Sequence, residues 1–237
     1  MADPIPERLV QAVVFDMDGL MFNTEDIYDR VGKSLLERRG HEFSLELKRR
    51  MMGRQNREAL QIMIDHCCLR DSVEHLNEES NALFLGMLQA NIQMLQGLER
   101  LLNWLEQQRI PKAVATSSSR VLAEASLGFF NLIPRFEFVL TGDDVTRGKP
   151  DPEIYVSAAG RLRVSPHRML VLEDSINGSR AAVSAGAITV AIPGQHNAED
   201  EYRHVHHVAN ALDAPIIWNL LETKIGEEDI TKSGSSA

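Results

Sequence analysis

Apolar residues gather along the chain in five short runs separated by longer amphipathic stretches. The first, Ala12-Val13-Val14-Phe15, leads straight into Asp16-Met17-Asp18-Gly19. The others are "KAVATS" (112–117), "FEFVLTG" (136–142), "RMLVLED" (168–174) and "AITVAIPG" (187–194). Short, mostly apolar runs of this kind predict strands covered on both faces, as in a parallel sheet. Between the later runs, "RVLAEASLGFF", "DPEIYVSAAGRL" and "INGSRAAVSAG" carry helical spacing. Alternating strand and helix predicts βαβ units with right-handed crossovers, hence a doubly wound, Rossmann-like α/β sheet.

The first interval breaks the alternation. Asp18 and Lys112 are too far apart for one crossover, and residues 22–93 contain no strand pattern. Helical spacing recurs there in "IYDRVGKSLLERRG", "REALQIMIDHCCL" and "ESNALFLGMLQANIQML". The expectation is an α/β core from residues 1–21 and 94–237, interrupted by a helical cap over 22–93. "GLERLLNWLEQQ" then leads back into the second strand.

Composition narrows the class. Of 237 residues, 43% are hydrophobic and 25% charged, with a net charge of −9. That balance predicts a globular protein and argues against nucleic acid or an anionic membrane as partner. No run of about 18 apolar residues is present, as a membrane span requires. The first residues lack the apolar segment of a signal peptide. The two cysteines, Cys67 and Cys68, are adjacent, which implies no disulfide framework and fits a reducing cytoplasm. A cytoplasmic monomer is expected.

In open α/β sheets, ligands bind beyond the carboxyl ends of the strands. The first strand ends in Asp16 and Asp18, which alternation directs to the same side. The second ends in Thr116-Ser117-Ser118-Ser119. The third is followed by Asp143-Asp144 and by Lys149 in Gly148-Lys149-Pro150; the fourth ends in Glu173-Asp174. Like charges this close repel and need compensation. The excess of carboxylates on one rim makes a hard cation the natural partner, and Mg²⁺ suits one or two carboxylates plus water and a substrate phosphate.

Taken in order, these residues resemble the motifs of the haloacid dehalogenase superfamily of phosphohydrolases. Asp16-x-Asp18-Gly19 is similar to the first motif, Thr116-Ser117 to the second, Lys149 in "GKPDPEIY" to the third, and Glu173-Asp174 to the fourth. The resemblance is to the phosphatase/β-phosphoglucomutase-like branch, with "MDGLMFNTEDIY" and "MGRQNREALQIMID" similar to pseudouridine-5′-phosphatase-type sequences. It implies a cap after strand one. It also implies that Asp16 is the nucleophile forming an aspartyl-phosphate, with Asp18 as general acid and then base. By the same resemblance, Thr116, Ser117 and Lys149 contact the phosphate. Mg²⁺ would be held by Asp16, the Asp18 backbone carbonyl and Asp174, with Glu173 either a ligand or placed behind one. The implied activity is Mg²⁺-dependent hydrolysis of a small phosphorylated metabolite: a sugar, nucleoside or short-acid phosphate.

Two rivals are a sugar phosphomutase and a phospho-accepting receiver-like domain. Against the mutase, Tyr28 stands where that branch carries a histidine, and Gly53-Arg54-Gln55-Asn56 replaces a Gly-x-Ser-Arg pattern. Asn23 departs from the usual aspartate. Receivers are about half this length and lack the insertion. In the cap, Arg54 and Arg57 are candidate substrate contacts, while Met51, Met52 and Met63 are expected to fill packing gaps. Asp143-Asp144 is expected to be loop structure. His204, His206 and His207 are expected to be solvated surface, and Thr116-Ser117 could also cap the helix over 119–130.

Overall fold

The pleat of the first strand decides the layering. In the computed structural model, which describes residues 8–224 apart from 53, 55 and 195–198, Val13 and Phe15 point into one apolar cluster and Val14 into another. Successive strand side chains alternate in this way, so each face of the sheet needs its own cover. Strand β1 (Ala12–Phe15) is fully buried between β2 (Lys112–Ala115) and β4 (Met169–Glu173). With β3 (Val139–Leu140), β5 (Ile188–Ala191) and β6 (His207–Val208), they form a parallel sheet in the order β3-β2-β1-β4-β5-β6. This is the doubly wound arrangement expected from the alternation of runs, and the strand order reverses on either side of β1.

On one side lie α5 (Leu98–Gln107), α6 (Arg120–Phe129) and α9 (Pro215–Glu222), which supply Leu101, Leu102, Leu122 and Ile217 to the cluster around Phe15. On the other, α7 (Glu153–Leu162) and α8 (Ile176–Ser184) supply Tyr155, Ala158 and Ala181. Small residues there let the helices approach the sheet closely.

Four helices separate β1 from α5: α1 (Thr24–Glu37), α2 (Leu45–Met51), α3 (Asn56–Cys67) and α4 (Val73–Asn91). Ser44 and Ser72 accept hydrogen bonds from the amides of Leu47 and His75, capping α2 and α4. Arg39 grips Asp71 through two nitrogens, at 2.8 and 2.9 Å, and reaches Glu79 at 2.7 Å, joining the end of α1 to α4. The two connections to the core run side by side. Phe22 bridges Met94 in antiparallel fashion, and the Asn23 side chain accepts from the Gln93 amide at 2.7 Å and donates to the Asn91 carbonyl at 3.1 Å.

Three elements differ from expectation. The third strand spans two residues rather than 136–142, because Phe136 leaves the ladder and packs edge-on against Phe15 with ring centroids 5.9 Å apart. Strand β6 is a two-residue edge, too short to leave an apolar run. Helix α2 is a seven-residue segment with only Leu47 buried, below the length at which periodicity is informative.

Candidate active site

Strand β1 ends against β4: the Asp16 amide donates to the Leu172 carbonyl at 3.0 Å, which brings Asp16 beside Glu173 and Asp174. The chain then turns sharply, with the Met21 amide donating to the Met17 carbonyl. Gly19 makes that turn in the left-handed region, φ +77°, and a Cβ there would lie 2.2 Å from Asp174 Oδ2. Both the backbone angle and the approach of Asp174 require glycine.

Lys149 lies on the same rim and is buried. Its three donors go to Asp16 Oδ1 at 2.5 Å, Glu173 Oε1 at 2.7 Å and the Ala115 carbonyl at 3.0 Å. The Tyr155 ring sits 5.0 Å from the ammonium, and its hydroxyl donates to Glu173 Oε1 at 2.8 Å. Glu173 Oε2 accepts from the Ser175 amide and hydroxyl, each at 3.0 Å. Glu173 is therefore surrounded by four protein donors. That geometry favours holding Lys149 in place over ligating a cation.

Asp18 has a different environment. Its Oδ2 accepts from the Ser118 hydroxyl at 2.6 Å and the Thr116 hydroxyl at 3.1 Å. Its Oδ1 is buried without a hydrogen-bond partner among the described residues. The Tyr28 hydroxyl, from α1, stands 2.8 Å from Ser118 Oγ. Burial raises the Asp18 pKa, with the hydroxyl hydrogen bonds pulling it back down. Burial also pushes Asp16 up to about 8, opposed by Lys149 and reinforced by the charges of Glu173 and Asp18. Asp174 is raised by burial and by Asp16, Glu173 and Glu25.

Burial is the largest cause of all three shifts, and for Asp16 and Asp174 the neighbouring carboxylates add to it while Lys149 opposes it. Asp16, Glu173 and Asp174 each bring an oxygen within 4.8 Å of the others. With Glu173 saturated by its donors, Asp16 and Asp174 are the carboxylates free to take a hard cation. All-oxygen donors of this kind fit Mg²⁺.

A cavity of about 200 Å³ lies between the strand ends and the helical insertion. Asp16, Asp18, Ser117, Ser118, Lys149 and Asp174 line it from the core. From the insertion come an apolar wall that includes Val31, Leu35, Phe43 and Leu60, and a paired Asp29 and Lys48 at 2.8 Å. Met51, Met52 and Met63 also line the cavity rather than only filling gaps between helices.

Several expected contacts fall elsewhere. Thr116 is fully buried and its hydroxyl donates to Asp18, while Ser117 and Ser118, next along the chain, line the cavity. Arg57 lies outside the cavity, in an exposed ion pair with Glu74. Arg54 does line the cavity, but it is bound to Glu58 and to the Arg50 carbonyl. The N-cap position of α6 is Ser119, and the Arg120 amide is met by Asp143. Asp144 accepts from the Thr141 amide and hydroxyl, a structural role as expected. His204 meets Ser179 at 3.0 Å, and His206 Nδ1 accepts from the Thr189 amide. Neither histidine belongs to a metal-binding group among the described residues.

Ser118, Tyr155 and Ser175 were not singled out from sequence. Ser118 sits in the same Thr-Ser-Ser-Ser run as its predicted neighbours. Tyr155 lies six residues after Lys149 in "GKPDPEIY", in the first turn of α7.

A doubly wound sheet with acids and a lysine on its carboxyl rim, under helices inserted after β1, is the framework of an α/β hydrolase. Residues 13–192 match the family described as haloacid dehalogenase-like hydrolase. The chain belongs to that family. It is 36% identical over 75% of its length to a phosphorylated carbohydrates phosphatase of Thermotoga maritima, covering 82% of that protein. It is 34% identical over 86% of its length to a probable pseudouridine-5′-phosphatase of Drosophila melanogaster, covering 91% of it. A crystal structure of a putative β-phosphoglucomutase from Thermotoga maritima superposes with a TM-score of 0.70 at 28% identity, over 95% of this chain and all of that one. The expected enzyme class, phosphoric monoester hydrolase, stands. No helix among the described residues is long and apolar enough to cross a membrane.

Proposed function

We propose that this chain is a Mg²⁺-dependent phosphatase of a small phosphomonoester, a sugar, nucleoside or short-acid phosphate, working through an aspartyl-phosphate on Asp16. The observation that carries the reading is the unequal treatment of two acids two residues apart. Asp16 is set against an ammonium, as a nucleophile approaching an anion requires. Asp18 is held beside the same cavity by the hydroxyls of Ser118 and Thr116, as a proton carrier with a fixed position requires.

In the first step an Asp16 oxygen attacks phosphorus and the bond to the leaving oxygen breaks. Asp18, protonated, gives its proton to the departing alkoxide. In the second step water attacks the phosphorus of the aspartyl-phosphate, the Asp18 carboxylate takes a proton from that water, and the Asp16 carboxylate leaves. Lys149 offsets the charge of Asp16 while phosphate approaches. The hydroxyl of Ser117 and the amides nearby are the groups available to the transferred oxygens. Asp16, Asp174 and the Asp18 backbone carbonyl would hold Mg²⁺, which would supply positive charge that screens the carboxylates from the phosphate. The inserted helices exclude bulk water and select the leaving group, and we take them to move as a cap over the cavity.

The likeness to a putative β-phosphoglucomutase keeps a mutase as the second reading. One experiment separates the two. Phosphate release is followed across sugar, nucleoside and short-acid phosphates, with Mg²⁺ and after chelation. β-Glucose 1-phosphate with a trace of the 1,6-bisphosphate is included in the panel. Mg²⁺-dependent phosphate release from one or more monoesters is expected. Sustained glucose 6-phosphate formation with little free phosphate would establish the mutase, and release unaffected by chelation would remove the metal from the account.

A further inference from the structure

We propose that Tyr28 is a positioning residue for Asp18, acting through Ser118, so that the seating of helix α1 against the sheet sets the geometry of proton transfer. The inference rests on the reading of Asp18 as proton carrier.

Three hydroxyls and one carboxylate form a directed chain across the boundary between insertion and core. The Ser118 hydroxyl has a single proton, and it is given to Asp18 Oδ2 at 2.6 Å. At the 2.8 Å contact the Tyr28 hydroxyl is therefore the donor and Ser118 Oγ the acceptor. The phenol suits this direction: burial and the nearby Asp18 charge raise its pKa well above the usual value, so it stays protonated at neutral pH. Thr116 completes the grip with a second bond to the same oxygen at 3.1 Å. Donors in series polarise one another, so loss of the first weakens the second.

The ring that carries the phenol is itself wedged. Phe84 of α4 packs against it with centroids 4.8 Å apart at 39°. A shift of the insertion relative to the sheet moves the phenol, and through Ser118 it frees one side of Asp18. With Oδ2 fixed, Oδ1 remains as the oxygen for the leaving group or water. A tyrosine that only filled space would need its ring but not its hydroxyl. Tyr28→Phe separates these roles, since the packing against Phe84 is retained.

The test compares an alkyl phosphate taken from the substrate panel with p-nitrophenyl phosphate, whose leaving group departs without protonation. Single-turnover rates are measured for wild type, Tyr28→Phe, Ser118→Ala, the double variant and Asp18→Asn. Tyr28→Phe is expected to slow the alkyl ester by about tenfold, a part of the roughly 10²–10⁴-fold that a general acid contributes. KM should stay within about twofold and the aryl ester should be affected far less, as for loss of transition-state stabilisation alone. The double variant should be no slower than Ser118→Ala, because both changes break one chain. Asp18→Asn should show the same preference for the aryl ester, more strongly. If Asp18→Asn shows it and neither Tyr28→Phe nor Ser118→Ala does, the inference is overturned while the phosphatase reading stands. Equal losses on both esters in Tyr28→Phe, or a change confined to KM, overturn it as well. If Asp18→Asn itself shows no dependence on the leaving group, the reading of Asp18 fails and the inference falls with it.

Discussion

Lys149 and Glu173 meet at 2.7 Å inside the protein, and both are almost wholly shielded from solvent. The pair fixes an ammonium at the one point where it can also touch Asp16. Lys149→Met would leave two buried carboxylates without their counter-charge. Breaking a buried ion pair from one side costs about 3–5 kcal/mol. The variant is expected to melt well below wild type and to lose turnover. Glu173→Gln keeps an oxygen facing Lys149 and Tyr155 but turns an NH2 toward the Ser175 donors, and should still lose less stability than Lys149→Met, because Asp16 continues to face the ammonium. Thermal melts of both variants in Mg²⁺ check this; a Lys149→Met protein as stable as wild type would contradict it.

The same carboxylate explains a glycine. A Cβ on Gly178, at the start of α8, would fall 1.7 Å from Glu173 Oε1. Gly178→Ala must push Glu173 away from its donors, and overpacking of this kind costs about 1–3 kcal/mol. Gly160 sits in α7 with nothing within 4 Å of such a Cβ. There alanine should stabilise, by about 0.5–1 kcal/mol, through helix propensity. Denaturant unfolding of the two variants should therefore give shifts of opposite sign, and activity should fall only in Gly178→Ala.

Asn23 uses both ends of its amide, accepting from Gln93 and donating to the Asn91 carbonyl. An ionised aspartate can make the first bond but not the second. In Asn23→Asp, loss of one hydrogen bond worth about 1 kcal/mol should raise local opening roughly fivefold. Hydrogen exchange at the amides of Asn23 and Gln93 reads this directly, since both belong to the paired connections. Unchanged protection would mean that the side chain does not hold the two connections together.

Much of this architecture was legible in the chain. β1, β2, β4 and β5 announced themselves as short apolar runs because both faces of each are covered. The edge strand β3 left a run longer than the two residues that pair, and β6 left none, since a two-residue pairing has no periodic trace. The acids and Lys149 were readable because strand ends on one rim converge whatever the loops do. What was hidden depends on contacts between distant segments. Arg57 reads like Arg54, but Arg57 lies in α3 while Arg54 precedes it, and Glu74 holds Arg57 on the surface. Thr116 reads like a phosphate ligand, but its hydroxyl is drawn to Asp18, 98 residues away in sequence. The insertion's contribution to the cavity, including the Asp29–Lys48 pair, requires α1 and α2 to be placed side by side, which periodicity does not encode.

The central claim is that Asp16 is the group phosphorylated. Enzyme mixed with its best phosphomonoester and Mg²⁺ is quenched in acid at millisecond intervals, digested and analysed by mass spectrometry. The account predicts one added phosphoryl group on the peptide containing Asp16. It should form and decay at rates consistent with turnover, and be absent in Asp16→Asn, which should be folded and inactive. Phosphate release at a normal rate with no such adduct, or from the Asp16→Asn protein, would contradict it.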